Sequence, residues 1–410
     1  MNPNEFWAAA SKTLVTVTLA LIAILVLVPS AGAQFKTIYR FRGGTNGSGP
    51  SGLVFDAAGN LYGTTYGGGT YGYGTIFKLN KAGKKTVLYN FAGAPDGANP
   101  HPYANLIFDD KGNLYGTTYL GGVGNQVGGT VFELDAAGAE TVLHRFCYGF
   151  PCTDGDGEFP TAGLLFDEAG NLYGTTAAGG YQYVGVVFKL TPNDGNWSET
   201  VLHSFEIADG DDVEGGLVWD SSRSTLYGTT LKNPPYGAGT VFKMDTTGAL
   251  TVLHSFLNPI DGDTPYKPPL LDALDTLYGT DAFGGNRSCP GPFGDGCGTV
   301  WKLDTNGNLA VLHTFTGGKD GSSPLSGLVS DQAGNLYGMT SGGGIYGFGV
   351  VFEMGPTPSG GWTYRVIHAF RNRPGANPCS NLIIDAAGIL YGSTQGDGIT
   401  TFGSVFEIAP

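Results

Sequence analysis

A seven-bladed, all-β propeller is the fold this sequence predicts, on three observations. The segment LYGTT returns seven times with small changes, at Tyr62, Tyr115, Tyr173, Tyr227, Tyr278, Tyr337 and Tyr391. The mean step is about 55 residues, just above the longest propeller-type periods, so one supersecondary unit is copied along the chain. Each unit holds four short β-rich segments separated by turn signals, and helical periodicity is absent beyond the N-terminal apolar run. The two ends are also complementary: residues 37–41 read as a fourth strand, and residues 403–408 as a third. Pairing them closes a ring and removes the free edge that an open solenoid would have to cap.

The elements follow in a fixed order. The first strand is GLVFD-like, as at 52–56, 163–167 and 216–220. A DAAGN-type turn comes next, first at Asp56 to Asn60. Asp opens such a turn, and Gly-Asn tolerates left-handed backbone. LYGTT is the second strand. The third is GTVFKL-like, at 74–79, 129–134, 239–244 and 298–303. Turns such as DAAGAE and DTTGAL lead to a TVLHSF-like fourth strand at 141–146, 200–205 and 251–256. First and third strands are continuous apolar runs, as suits blades covered on both faces. In this order the second-to-third and fourth-to-first connections share one face, and the short hairpins occupy the other. The propeller is expected over residues 34–410.

Composition agrees with many short strands joined by glycine turns: 70 glycines, 12% aromatic residues and only 14% charged. A disordered chain would be poor in aromatics. The net charge of −14 and the lone basic pair Lys84-Lys85 exclude nucleic acid and anionic lipid, which need a basic stripe.

Residues 1–33 read as a secretory signal peptide. Lys12 precedes an apolar run from Leu14 to Val28, Pro29 and Ser30 break it, and Ala31-Gly32-Ala33 supplies small residues before a cut. The run is about 15 residues, short of the roughly 20 that span a bilayer. A cleaved, secreted or periplasmic protein with no membrane span is therefore expected. Five cysteines suit an oxidising compartment. Cys147 with Cys152, and Cys289 with Cys297, lie in single loops and are expected to form disulfides, leaving Cys379 without a role.

LYGTT, the glycine stretch Gly67-Gly68-Gly69, GTVFKL, VLHSF and an Asp-Gly-x-x-Pro loop resemble the GloVer tandem-repeat family of exported bacterial proteins. The resemblance covers residues 35–410. That family is described with varied C-terminal anchors, and this sequence departs from it by showing none. The resemblance implies no activity and no catalytic residue.

Candidate chemistry is sparse. His144, His203, His254, His313 and His368 share one register of the outermost strand, too far apart to converge on a metal, and read as a repeated packing and hydrogen-bonding position. No metal site is expected. The loop-bearing face carries an acidic series: Asp154, Asp156 and Glu158; Asp209, Asp211 and Asp212; Asp261 and Asp263. Asp154, Asp156, Asp209 and Asp261 are expected to be exposed. Alternating carboxylates with glycine can ligate Ca²⁺, although no loop completes an EF-hand. The other reading is that Asp-Gly-x-x-Pro (Asp96, Asp156, Asp261, Asp320) is a turn in which Asp bonds its own backbone. Tyr71, Tyr73, Tyr181, Tyr183, Tyr236, Tyr346 and Phe348 stand among glycines on the same face and could line a shallow site. Trp197 and Trp362, in longer hairpins, keep the opposite face in view.

There is no G-x-S-x-G elbow, no His-Glu-x-x-His and no phosphate loop. The reading is a secreted binding or interaction module using the loop-rich face, with a glycan or another extracellular macromolecule as partner and no evident cofactor. The alternatives are an extracellular carbohydrate-active enzyme, a glycoside hydrolase or lyase with paired carboxylates in the acidic loops, and a structural repeat protein of the envelope.

Overall fold

The computed structural model describes residues 33–410 except 95, 102, 124–126, 147–154, 233–236, 258–259, 287, 290–295, 374 and 397–401. The expected signal peptide lies outside the described residues, apart from Ala33. Among the described residues, seven four-stranded antiparallel sheets follow one another as the blades of a propeller. In blade one the strands are Ser48–Phe55, Leu61–Gly67, Thr75–Leu79 and Lys85–Asn90, in that order from the axis outward. Blades two to six repeat this pattern from about residue 107 to 369. Blade seven takes its three inner strands from Ile383–Ile384, Leu390–Thr394 and Ser404–Ala409, and its outer strand from Gln34–Arg40. Gln34 lies opposite Ala409 and Arg40 opposite Ser404, so the N-terminal strand closes the ring.

Each letter of the repeat has a physical task. The tyrosine of LYGTT donates its hydroxyl to the Asp that opens the preceding turn, at 3.0 to 3.3 Å in six blades. The same Asp accepts two backbone N–H groups of its own turn, as Asp56 does from Ala58 and Asn60. Burial works against the Asp56 carboxylate, but the bonds from Asn60 and Tyr62 outweigh it and hold its pKa down at about 2. The glycine leaves room for a ring: a Cβ on Gly63 would stand 2.9 Å from Phe77. The first threonine reaches the next blade, as Thr117 does to the Ala162 carbonyl and Thr280 to that of Ser326. The second meets a hydroxyl of the third strand, Thr65 with Thr75 and Thr118 with Thr130.

Blade-to-blade cohesion comes from aromatic rings. The last residue of the TVLHSF segment packs against the third-strand ring of the next blade: Phe91 on Phe132, Phe146 on Phe188, Phe205 on Phe242, Phe256 on Trp301, Phe315 on Phe352 and Phe370 on Phe406. Phe41 on Phe77 completes the circle. These rings are almost wholly buried. Such edge-on pairs add about 0.5–1.5 kcal/mol each beyond the apolar area they bury. In six blades the glycine that opens the third strand, such as Gly129 at φ 89°, lies under the proline of the following inter-blade loop, and a Cβ there would meet Pro160 Cδ at 2.5 Å; in blade three Val213 takes the proline's place.

Candidate functional site

The loop-bearing face is built as the topology requires, but its acidic residues are mostly turned inward. Four of the five histidines and the Asp-Gly turns of the inter-blade loops prove to be one device. His144 Nε2 meets Asp156 at 3.4 Å, His203 meets Asp209 at 3.1 Å, His254 meets Asp261 at 2.8 Å and His313 meets Asp320 at 3.3 Å. In blade one Tyr89 takes the histidine register and donates to Asp96 at 2.6 Å. The loop aspartate also accepts backbone N–H groups, as Asp261 does from Leu257 at 2.7 Å. The pair thus pins each inter-blade loop to the strand before it. His368 has no such aspartate in its loop and stacks on Phe35, with centroids 3.9 Å apart.

The expected exposure is corrected at Asp156, which is buried, and Glu158 and Asp263 of the same series are buried too. Loop residues 157–158 pair with 178–179 in a two-stranded sheet, which carries Glu158 inward to accept the Tyr183 hydroxyl. Thr264 donates to Asp263 at 2.7 Å. Asp209, Asp211, Asp212 and Asp261 are half-buried. Asp211 pairs by its backbone with Lys232, whose ammonium donates to Asp212 at 3.0 Å. These carboxylates stay in their own loops and do not converge. Among the described residues, His144, Asp156 and Glu199 alone bring metal-type ligand atoms within 4.8 Å of one another. The His–Asp half of that group recurs in blades that lack the glutamate.

The aromatics divide. Tyr71 and Tyr181 are exposed. Tyr346 is also open to solvent and carries the Arg371 guanidinium 4.3 Å above its ring. Tyr73 and Phe348 are partly buried against core clusters. On the hairpin face Trp197 packs on Tyr115 and Trp362 on Tyr278, between blades. Asp154, Tyr236, Cys147 and Cys152 lie outside the described residues. Cys289 and Cys297 are bonded, with Cα atoms 5.7 Å apart, and Cys379 is buried and unbonded.

The chemically unusual group lies elsewhere, over the mouth of the central channel. Seven loops enter their first strands there, and the entering position holds Ser51, Ala104, Ala162, Gly215, Lys267, Ser326 and Ser380. Six are small because the innermost ring is narrow. The seventh, Lys267, is buried, with its Nζ 4.0 Å from the centroid of Tyr103, which enters blade two. Tyr266 stands 5.7 Å from Tyr103, and His101 lies edge-on to Tyr103 at 4.8 Å. Burial pulls Lys267 down to about 7, although Cys379 and Glu214 nearby favour its charge. Burial, reinforced by Asp212, pushes Glu214 up to about 7. Burial and the neighbouring lysine hold His101 down at about 3, hence neutral. Lys267 Nζ and His101 Nδ1 are buried with no hydrogen-bond partner among the described residues. Sequence reasoning missed this group, although one signal was legible: a lysine where six repeats carry Ser, Ala or Gly.

Clefts also open on the hairpin face between blades. The one at the closure seam, about 830 Å³, is lined by Lys36, Ile38, Phe55, Lys81, Ile384 and Glu407. Similar clefts recur between blades one and two and between blades six and seven. They follow from the outward splay of the blades.

The chain is similar in fold to the extracellular domain of a one-component system from B. thetaiotaomicron, at 9% identity and a TM-score of 0.55 over 91% of this chain. It spans 39% of that structure's length. A protein described as a glucose dehydrogenase from Thermus thermophilus aligns at 12% identity and a TM-score of 0.43, over 92% of this chain and 100% of its own. One described as a gluconolactonase aligns at 14% identity and a TM-score of 0.41, over 94% of each chain. No curated protein matches the chain. Among the described residues no helix is long and apolar enough to cross a membrane, which says nothing of strands. The model of the Gloeobacter/Verrucomicrobia repeat matches residues 23–221, 129–293 and 289–410, and the chain belongs to that repeat family.

Proposed function

We propose that this protein is an exported binding module that takes its ligand on the loop-bearing face, over the mouth of the channel. One observation carries the reading. Lys267 Nζ and His101 Nδ1, a buried donor and a buried acceptor, both lack partners among the described residues and stand beside partly exposed tyrosines. Buried polar groups in folded proteins are almost always satisfied, and an orphan calls for a bound partner. The signal-like N-terminus supports export. Carbohydrate turnover is the second reading. Its support is Glu214, a carboxyl held near neutrality on the same rim, as a general acid would be.

A glycan array with a reducing-sugar assay on residues 34–410 tests both. Binding without product supports the module, and product release supports the enzyme. Silence in both assays overturns the proposal and leaves a structural envelope role. Binding that survives Tyr266→Ala with Tyr103→Phe in a folded protein would place the site off this face.

A further inference from the structure

The Lys267 side chain is the anomaly that the fold does not explain. A repeat protein tolerates a lysine among six small residues only if its length and charge find a place. Its length runs into the channel mouth and over the Tyr103 ring. Its charge finds a ring face but no acceptor: among the described residues Nζ has no hydrogen-bond partner, and no carboxylate comes within ion-pairing distance. Glu214 is close enough to favour the lysine's charge, yet forms no pair with it. An ammonium taken out of water is costly unless an anion receives its protons.

His101 adds a requirement of opposite sense. Its Nδ1 is buried without a hydrogen-bond partner among the described residues, and in the neutral ring with the proton on Nε2 it is an acceptor without a donor. Tyr103 and Tyr266, both partly exposed, offer ring faces beside these two atoms. The four residues come from two loops that enter opposite sides of the ring, before blades two and five. Only closure of the propeller brings them together.

We infer that the channel mouth is a binding site for a small hydroxylated carboxylate of the sugar-acid class. The carboxylate sits on Lys267 Nζ, a hydroxyl donates to His101 Nδ1, and the C–H face of the sugar lies on the Tyr103 and Tyr266 rings. Each atom type answers one unmet need: an anion for the ammonium, a hydroxyl for the imidazole, an apolar face for the phenols. A simple anion would leave His101 unmet, and a neutral sugar would leave Lys267 unmet. This identification rests on the loop-face reading above and deepens it.

Calorimetric titration of residues 34–410 tests it, with D-glucuronate, D-glucose and acetate as probes. Glucuronate should bind, and glucose and acetate should each bind at least about tenfold more weakly. Lys267→Met, which keeps the side-chain length and loses the charge, should weaken glucuronate about 30-fold and leave glucose unchanged. His101→Phe, which keeps a ring and loses the acceptor, should weaken glucuronate but not acetate. It gives an independent reading if the lysine variant misfolds. Absence of glucuronate binding to the wild type at millimolar concentration overturns the inference, as does equal affinity in folded Lys267→Met. If the glycan array finds a ligand that Lys267→Met holds unchanged, the sugar-acid identification fails while the loop-face reading stands. If the array is silent, both fail.

Discussion

Replacing Asp281 by threonine should stabilise this protein, by an amount that depends on pH. Blade five reads LYGTD where the segment ends in threonine in all six other blades. In four blades the last position shares a hydrogen bond with a third-strand hydroxyl, at 2.8 to 3.0 Å. Asp281 occupies that place wholly buried, accepts from Thr299 at 2.9 Å, and leaves Oδ1 without a partner among the described residues. Burial raises its pKa well above the ordinary 3.8, against the opposing Thr299 bond. The folded protein therefore holds the carboxyl protonated where the unfolded chain would ionise it. Stability is full below the unfolded pKa and falls as pH rises toward the folded one. Each unit costs about 1.4 kcal/mol, so at pH 7 the ceiling is about 4 kcal/mol, and near pH 4 the cost is close to zero. With about 2.1 cal/mol/K of unfolding entropy per residue, that ceiling corresponds to roughly 5 °C in this chain. Thermal unfolding of wild type and Asp281→Thr at pH 4 and pH 7 isolates the effect, because other titrating groups cancel in the difference. A Tm gain that is the same at both pH values, or a loss at pH 7, would refute the reasoning.

Three further outcomes are expected. Lys267→Met should raise Tm at pH 6 by an amount that shrinks toward pH 10, since burial lowers the lysine's folded pKa to about 7 and wild-type stability grows as pH rises from there to 10.5. A gain independent of pH would mean that the amine is not desolvated. Cys297→Ser should cost about 2–3 kcal/mol by freeing a short loop, and reductant should lower the wild-type Tm by the same shift while leaving the variant untouched. His254→Leu should cost about 1–2 kcal/mol by unpairing Asp261. His368→Leu, which has no aspartate partner, should cost less, and equal losses in chemical denaturation would show that the rings matter more than the hydrogen bonds.

The architecture was legible because a repeat states its own rules seven times. The period, the four segments and their turn chemistry specify a blade, and the matching ends at residues 37–41 and 403–408 specify closure, which the pairing of Gln34–Arg40 with Ser404–Ala409 bears out. The histidine register was legible too, as a repeated position, and the structure supplied its partner, the loop aspartate. Asp156 was misread as exposed because composition reports charge and not direction. Asp156, Glu158 and Asp263 turn inward only because the loops bend back to pair with residues near 178, 179 and 283. The channel-mouth group depended on tertiary structure altogether. His101, Tyr103, Tyr266 and Lys267 are separated by as much as three repeats, and no local spacing relates them. A closed ring brings every inner-strand entry to one axis, so residues remote in sequence become neighbours there. By itself the sequence determined the repeating unit, its count and the exceptional lysine. Which side chains met that lysine was decided by closure, because only a ring gives all its units a common centre.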